Sequence, residues 1–274
     1  MSISDAERVR VMQVGDIGVA IHTAGEGPQI VMIHGLGQDH RIWADIQHEL
    51  PQYHTYAYDL RGHGQTTLGH SVGTLAQLGQ DLIALLEETG PATCMGFSLG
   101  GSVALWAAAE RPDLIPQVVA VATSSVVGSG AAMAMEERIA RIQLGDRVTL
   151  RALILEDTVA QLAGADIDPV ALTDSRLNAV SEVAGYINGA RAILSMRADP
   201  LTSRLSGLAA RVLVISGSRD VWCPRRAAEI MLESLPNASF VELPDVGHLV
   251  TDIAPRDLVT AVREWFRETK RPSR

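Results

Sequence analysis

Short, continuously apolar runs alternate with helical stretches along most of the chain, and this restricts the fold more than any other feature. Gln29-Ile30-Val31-Met32-Ile33-His34 and Arg211-Val212-Leu213-Val214-Ile215-Ser216 lack a polar face, as strands covered on both sides do. Residues 92–97 and 117–123 read the same way, and residues 55–58 and about 238–243 add shorter strands. Between them lie helical patterns near 41–50, 74–88, 99–110, 224–235 and 255–269. In the second of these, Leu75, Leu78, Leu82, Leu85 and Leu86 recur at three- and four-residue spacing. Strands that alternate with helices predict a mostly parallel, twisted sheet flanked by helices on both faces. The opening is different: residues 8–14 and 17–23 alternate around Gly15-Asp16, the pattern of a hairpin.

From residue 126 to 206 the alternation lapses. This stretch is Ala-, Leu- and Arg-rich, with turns at Gly145 and at Asp166-Ile167-Asp168-Pro169. It is expected to be a helical insertion before the last two strands, dividing the chain into a core of residues 1–125 and 207–274 and a cap of residues 126–206.

Composition removes several classes of function. The chain has 274 residues and a net charge of −9, so it lacks the basic surplus that a phosphate backbone demands, and nucleic acid is not an expected partner. Lys270 is the only lysine, which argues against Schiff-base chemistry and against a phosphate loop ending in Gly-Lys-Ser/Thr. Cys94 and Cys223 show no zinc-ligand spacing. With an acidic, polar start from Met1 to Glu7 and no apolar run of membrane-spanning length, they point to a cytoplasmic protein without a membrane partner.

Gly96-Phe97-Ser98-Leu99-Gly100 stands between a buried strand and a helix, followed by Gly101. A serine on such a turn sits in a strained backbone conformation and needs glycine neighbours to avoid clashes, which lifts its Oγ above the sheet. The competing reading is a glycine-rich turn with a capping serine. A serine nucleophile needs a base, and the base needs an orienting acid. Asp220 follows the strand ending at Ile215-Ser216, and His248 follows the next one. No histidine lies between His70 and His248. Attack on a carbonyl also needs two backbone donors. Leu99, directly after Ser98, would supply one, and Leu36, within His34-Gly35-Leu36-Gly37, the other. The rival reading of that loop, a dinucleotide site, fails because its third glycine position is His40.

The series His34-Gly35-Leu36-Gly37, Tyr58-Asp59-Leu60-Arg61-Gly62-His63-Gly64, Gly96 to Gly101, Asp220 and Gly247-His248 resembles the α/β-hydrolase superfamily. Within it, the chain is most similar to the 3-oxoadipate enol-lactonase-like branch of small ester and lactone hydrolases. The cues for the branch are Tyr58-Asp59-Leu60-Arg61-Gly62-His63-Gly64, the Leu36-Gly37…Trp43 spacing, and Gly185-Tyr186…Gly189-Ala190 at the end of a compact insertion. The resemblance covers roughly residues 11–266. It implies Ser98, Asp220 and His248 as a catalytic triad and residues 126–206 as a lid. Two departures stand out. Phe97 replaces the Asn usual before the nucleophile of C–C bond hydrolases, and Trp222-Cys223 replaces the small residues usual after the acid.

The expected activity is therefore hydrolysis of a small ester or lactone through an acyl-enzyme, with no metal or organic cofactor. Alternatives are a C–C bond hydrolase, a cofactor-free oxygenase or lyase suggested by Gln38-Asp39-His40-Arg41, and a non-catalytic small-ligand receptor. His48-Glu49-Leu50-Pro51-Gln52 lacks the second histidine of a zinc motif, and no lysine follows Ser98 at the spacing of a β-lactamase. Arg61-Gly62-His63-Gly64 reads as a structural loop. Trp222, Met133 and Met135 are expected pocket residues. The absence of a clustered basic pocket favours neutral substrates over dicarboxylates, although Arg138, Arg141, Arg147 and Arg151 could converge.

Overall fold

The computed structural model describes residues 9–145, 147–180 and 182–269. The acidic start, Met1 to Glu7, and Lys270 fall outside them.

Eight strands form one sheet in the order β1-β2-β4-β3-β5-β6-β7-β8. β1 (Arg10–Val14) and β2 (Ile17–Ala24) make the expected hairpin, with Val14 opposite Ile17. β2 also runs antiparallel to β4 (His54–Tyr58). The other strands are parallel: β3 (Gln29–Ile33), β5 (Thr93–Phe97), β6 (Gln117–Val121), β7 (Arg211–Gly217) and β8 (Ala238–Leu243). β3 lies between β4 and β5, so the strand order reverses there. At that reversal the carboxyl ends of β3 and β5 sit side by side, with Ile33 opposite Gly96. Crevices at such a reversal are where open α/β sheets bind ligands.

The period-2 geometry of the strands builds two apolar layers at once. Val118, Ala120, Val212 and Val214 face a layer that includes Leu82 of α2 (Leu75–Thr89), Leu105 of α3 (Leu99–Glu110) and Met231 of α9 (Arg225–Ser234). Val119, Val121, Leu213 and Ile215 face the other, with Ile46 of α1 (Ala44–Glu49) and Leu258 and Val262 of α11 (Pro255–Thr269). Trp43 and Trp106 are buried in these layers. The helix expected over 41–50 begins as a 3-10 turn, His40–Trp43, because the Asp39 carboxylate accepts the Arg41 N–H at 3.0 Å and caps that turn.

Between β6 and β7 the chain forms α4 (Ser129–Leu144), α5 (Arg147–Leu162), α6 (Pro169–Ala179), α7 (Val183–Ala198) and the single turn α8 (Thr202–Leu205). α4, α5 and α7 share an apolar cluster of their own, including Ile139, Leu150, Ile154 and Tyr186, with Leu177 of α6 packed against it, whereas Leu205 of α8 joins the core of the sheet. Backbone meets backbone where this layer touches the sheet domain. A Cβ on Gly185 would overlap the carbonyl of Gly62, and the Gly64 N–H donates to Ala179 O at 2.6 Å. A short α10 (Val250–Ile253), too brief to leave a periodic signal, follows β8. Among the described residues no helix is long and apolar enough to cross a membrane.

Candidate active site

Ser98 sits between β5 and α3 with φ 51° and ψ −117°, a left-handed backbone that costs a non-glycine residue of order 1–3 kcal/mol. The surrounding glycines make the turn possible. A Cβ on Gly96 would overlap Gly100, one on Gly100 would overlap Ile33 O and come 2.6 Å from His34 O, and one on Gly101 would come 2.5 Å from Thr123 Oγ1. The serine N–H donates to Val121 O at 2.8 Å, and the Thr123 hydroxyl donates to Ser98 O, so the turn is tied to the next strand.

Asp220 and His248 come from the loops after β7 and β8. His248 Nε2 is 3.1 Å from Ser98 Oγ, and its Nδ1 is 2.8 Å from Asp220 Oδ2. Oδ1 of the same carboxylate accepts the Trp222 and Cys223 N–H groups, each at 2.8 Å. Both Asp220 and His248 are buried. The imidazole packs between Phe97 and Trp222, with ring centroids at 5.2 and 6.4 Å. Its backbone N–H donates to Gln161 O at 3.0 Å, anchoring the loop to the end of α5. That contact passes over Gly247, where a Cβ would overlap the Gln161 carbonyl.

The loop after β3 rests on two buried histidines. His34 Nε2 accepts the Leu60 N–H at 2.8 Å, and His63 Nε2 accepts the Gly37 N–H at 3.3 Å. Each ring must then be neutral and carry its proton on Nδ1, which faces Gly35 O in one case and Arg61 O in the other. The Gly35 N–H donates to Gln38 Oε1 at 3.2 Å. Among the described residues the Leu36 and Leu99 N–H groups make no such bond. Arg61-Gly62-His63-Gly64 is thus a scaffold: the Arg61 guanidinium bridges Asp16 and Asp81, and a Cβ on Gly64 would overlap the Asp59 carboxylate.

Burial, reinforced by the neighbouring His34, pulls the His63 pKa down to about 4. An unfolded histidine titrates near 6.5, so between those values the unfolded chain holds a proton that the folded chain does not, and stability falls as pH falls. The parent protein should lose about 2 kcal/mol more than His63→Gln between pH 7 and 4.5 in urea unfolding. Equal losses in the two proteins would remove His63 from this role.

Leu36, Phe97, Ser98, His248, Trp222 and Met135 line a cleft that opens to solvent. Met133 does not join them. It is 69% exposed, because residues two apart on α4 point to nearly opposite sides of the helix. Of the four arginines considered from sequence, Arg138 is bound to Asp157, a lining residue, and its guanidinium lies 5.7 Å from the Trp222 ring. Arg147 instead donates to Val180 O and Leu177 O, and Arg151 pairs with Asp174. Sequence reasoning singled out Gln38 and Tyr186 for other reasons and did not name Asp157, Gln161 or Arg176, and it placed none of the five in the cleft that all of them line. Four of these five come from helices of the insertion. Two groups place possible metal-ligand atoms within 4.8 Å of one another: Asp39, His40 and Asp59, and Asp220, Cys223 and His248. In both, the carboxylates are already engaged, by Arg41 and His40 in the first and by His248 in the second.

Residues 30–261 match the family model described as the alpha/beta hydrolase family. The chain belongs to that family. This α/β-hydrolase is 29% identical over 244 residues to a pimeloyl-[acyl-carrier protein] methyl ester esterase of Nitrosomonas europaea, covering 84% of this chain and 92% of that protein. Its fold matches a hydrolase from Pseudomonas aeruginosa with a TM-score of 0.83 at 26% identity, covering 96% and 99% of the two chains. An enol-lactonase from Burkholderia xenovorans shares the fold with a TM-score of 0.83 at 23% identity, covering 94% and 100%.

Proposed function

We propose that this α/β-hydrolase cleaves a small carboxylic ester or lactone through an acyl-enzyme on Ser98. The observation that carries the reading is the unbroken path from Ser98 Oγ through His248 to Asp220, opening on the cleft. Asp220 holds the imidazole proton on Nδ1, so the Nε2 lone pair faces the serine. Nε2 takes the hydroxyl proton as Oγ attacks the carbonyl carbon. The Leu36 and Leu99 N–H groups receive the developing oxyanion. The imidazolium then protonates the departing alkoxide, and a water activated by the same nitrogen releases the acid. In a lactone the alkoxide stays attached, and the product is a hydroxy acid.

Residues 126–206 serve as the lid in this reading, with Met135 and Trp222 as walls that meet the substrate and exclude water. Two free thiols, Cys94 and Cys223, agree with a cytoplasmic setting. A fluorophosphonate should label the parent once, at Ser98, and Ser98→Ala should not be labelled. Labelling of that variant at the parent's rate would place the nucleophile elsewhere.

A further inference from the structure

Beside the cleft lies a second cavity, and two buried side chains form the partition between them. Gln38, 2% exposed, and Arg176 of α6, 6% exposed, line both spaces. The second cavity runs between the 3-10 turn that carries Ile42 and the α6 wall of Leu172 and Ser175. Arg41 and Ser175, which also line it, are exposed, so this space reaches solvent at a different place from the cleft mouth beside Trp222. Arg41 Nη2 donates to Ser175 O at 3.4 Å across that rim, a bond too long to be strong.

The partition is polar and incompletely bonded. Arg176 Nη1 donates to Thr158 Oγ1 at 2.9 Å and to Gln161 Oε1 at 3.1 Å, and the nearby Asp157 and Asp252 carboxylates answer its charge. Its Nε–H nevertheless has no hydrogen-bond partner. Gln38 Oε1 accepts the Gly35 N–H, which makes Nε2 the donor, and that donor also lacks a partner. Leaving a buried donor unsatisfied is costly, and a polar cavity beside such a donor is where proteins hold ordered water. The partition also stands against the catalytic base. Gln161, whose side chain accepts from Arg176, holds the His248 N–H on its own carbonyl at 3.0 Å.

We propose that the second cavity is the entry route for the hydrolytic water, with Gln38 and Arg176 holding water at its inner end, where it meets the cleft. The need arises in the second half of the reaction. Once the alcohol has left, the acyl chain on Ser98 fills the cleft between the serine and its mouth, and the water that His248 deprotonates needs another path. In that step the water gives a proton to Nε2 while its oxygen bonds to the acyl carbon. The bond from that carbon to Oγ then breaks, and Oγ recovers the proton. This role rests on the esterase reading and adds a path for the second substrate of the reaction.

Leu172→Trp fills the cavity from α6, and Ile42→Trp fills it from the opposite wall; neither residue lines the cleft. Acyl-enzyme formed by rapid mixing with p-nitrophenyl esters is followed by intact mass. For the longest straight-chain acyl group that the parent accepts, its decay should slow about tenfold in each variant, while kcat/KM, set by acylation, stays within about twofold of the parent. The acetyl-enzyme, whose short chain leaves the cleft open, should decay at the parent's rate in both variants. Decay of the long-chain acyl-enzyme at the parent's rate in both variants overturns the route. Equal slowing of the acetyl form also overturns it, because that marks a packing fault rather than a blocked path.

Should both tryptophan variants fail to fold, a high-resolution crystal structure of the parent decides the matter. Ordered water bonded to Arg176 Nε and to Gln38 Nε2 sustains the inference, and a dry partition overturns it. The same crystal structure decides if no ester turns over at all, an outcome that removes the esterase reading by itself.

Discussion

Asp220→Asn should fold normally and lose about 10³–10⁴-fold in kcat, equivalent to roughly 4–5.5 kcal/mol of transition-state stabilisation. The size of the effect follows from how the carboxylate is surrounded. Oδ1 accepts two backbone N–H groups, and Oδ2 accepts one imidazole N–H. An asparagine has one acceptor oxygen, and the pair of backbone donors will claim it. The amide NH₂ then faces His248 Nδ1 and forces that nitrogen to become an acceptor. The imidazole proton moves to Nε2, the atom 3.1 Å from Ser98 Oγ, and the base loses the lone pair it needs. Steady-state kinetics with an activated ester, alongside circular dichroism of the variant, measures this directly. A loss of tenfold or less would mean that another acid orients His248.

Gly100→Ala should destabilise the protein by on the order of 3–5 kcal/mol, a class of effect confined to named packing faults. At this size of domain that lowers the melting temperature by about 10 °C. The added methyl would overlap the Ile33 carbonyl and approach the His34 carbonyl to 2.6 Å. Both obstacles are backbone at the end of a central strand, which no side-chain rotation relieves. Gly130→Ala is the matched control, because a Cβ there on α4 meets nothing within 4 Å. It should melt at or slightly above the parent, since alanine is the better helix former. A Gly100→Ala protein within about 3 °C of the parent would show that α3 does not approach β3 this closely.

That Ser98, Asp220 and His248 would lie at the carboxyl ends of strands was legible because Ser98 and Asp220 follow continuously apolar, buried runs and His248 follows a shorter, half-buried strand. The sheet and the insertion were legible for the same reason. The antiparallel pairing of β2 with β4 was not, since strand neighbours depend on where the chain crosses and no local pattern records that. The cleft lining was the least readable part. Arg176 and Asp157 belong to different helices and meet the site only through tertiary packing. Their sequence surroundings look like those of any charged helix face. Arg138, Arg141, Arg147 and Arg151 illustrate the converse, four similar signals of which one reaches the site. The pairing of Met133 with Met135 failed on elementary helix geometry.

The two sides of the cleft differ in how much change they tolerate. Beneath the serine, Gly96, Gly100, Gly101 and Gly247 each sit where a single added carbon meets a neighbouring atom at 2.9 Å or less. Above it, Met135, Tyr186 and Ile193 reach in as side chains from α4 and α7. Random mutagenesis for altered selectivity should therefore yield its viable hits in the roof and almost none in the floor. New specificities can be gained without touching the reaction itself, because the residues that vary freely are not the ones that do the chemistry.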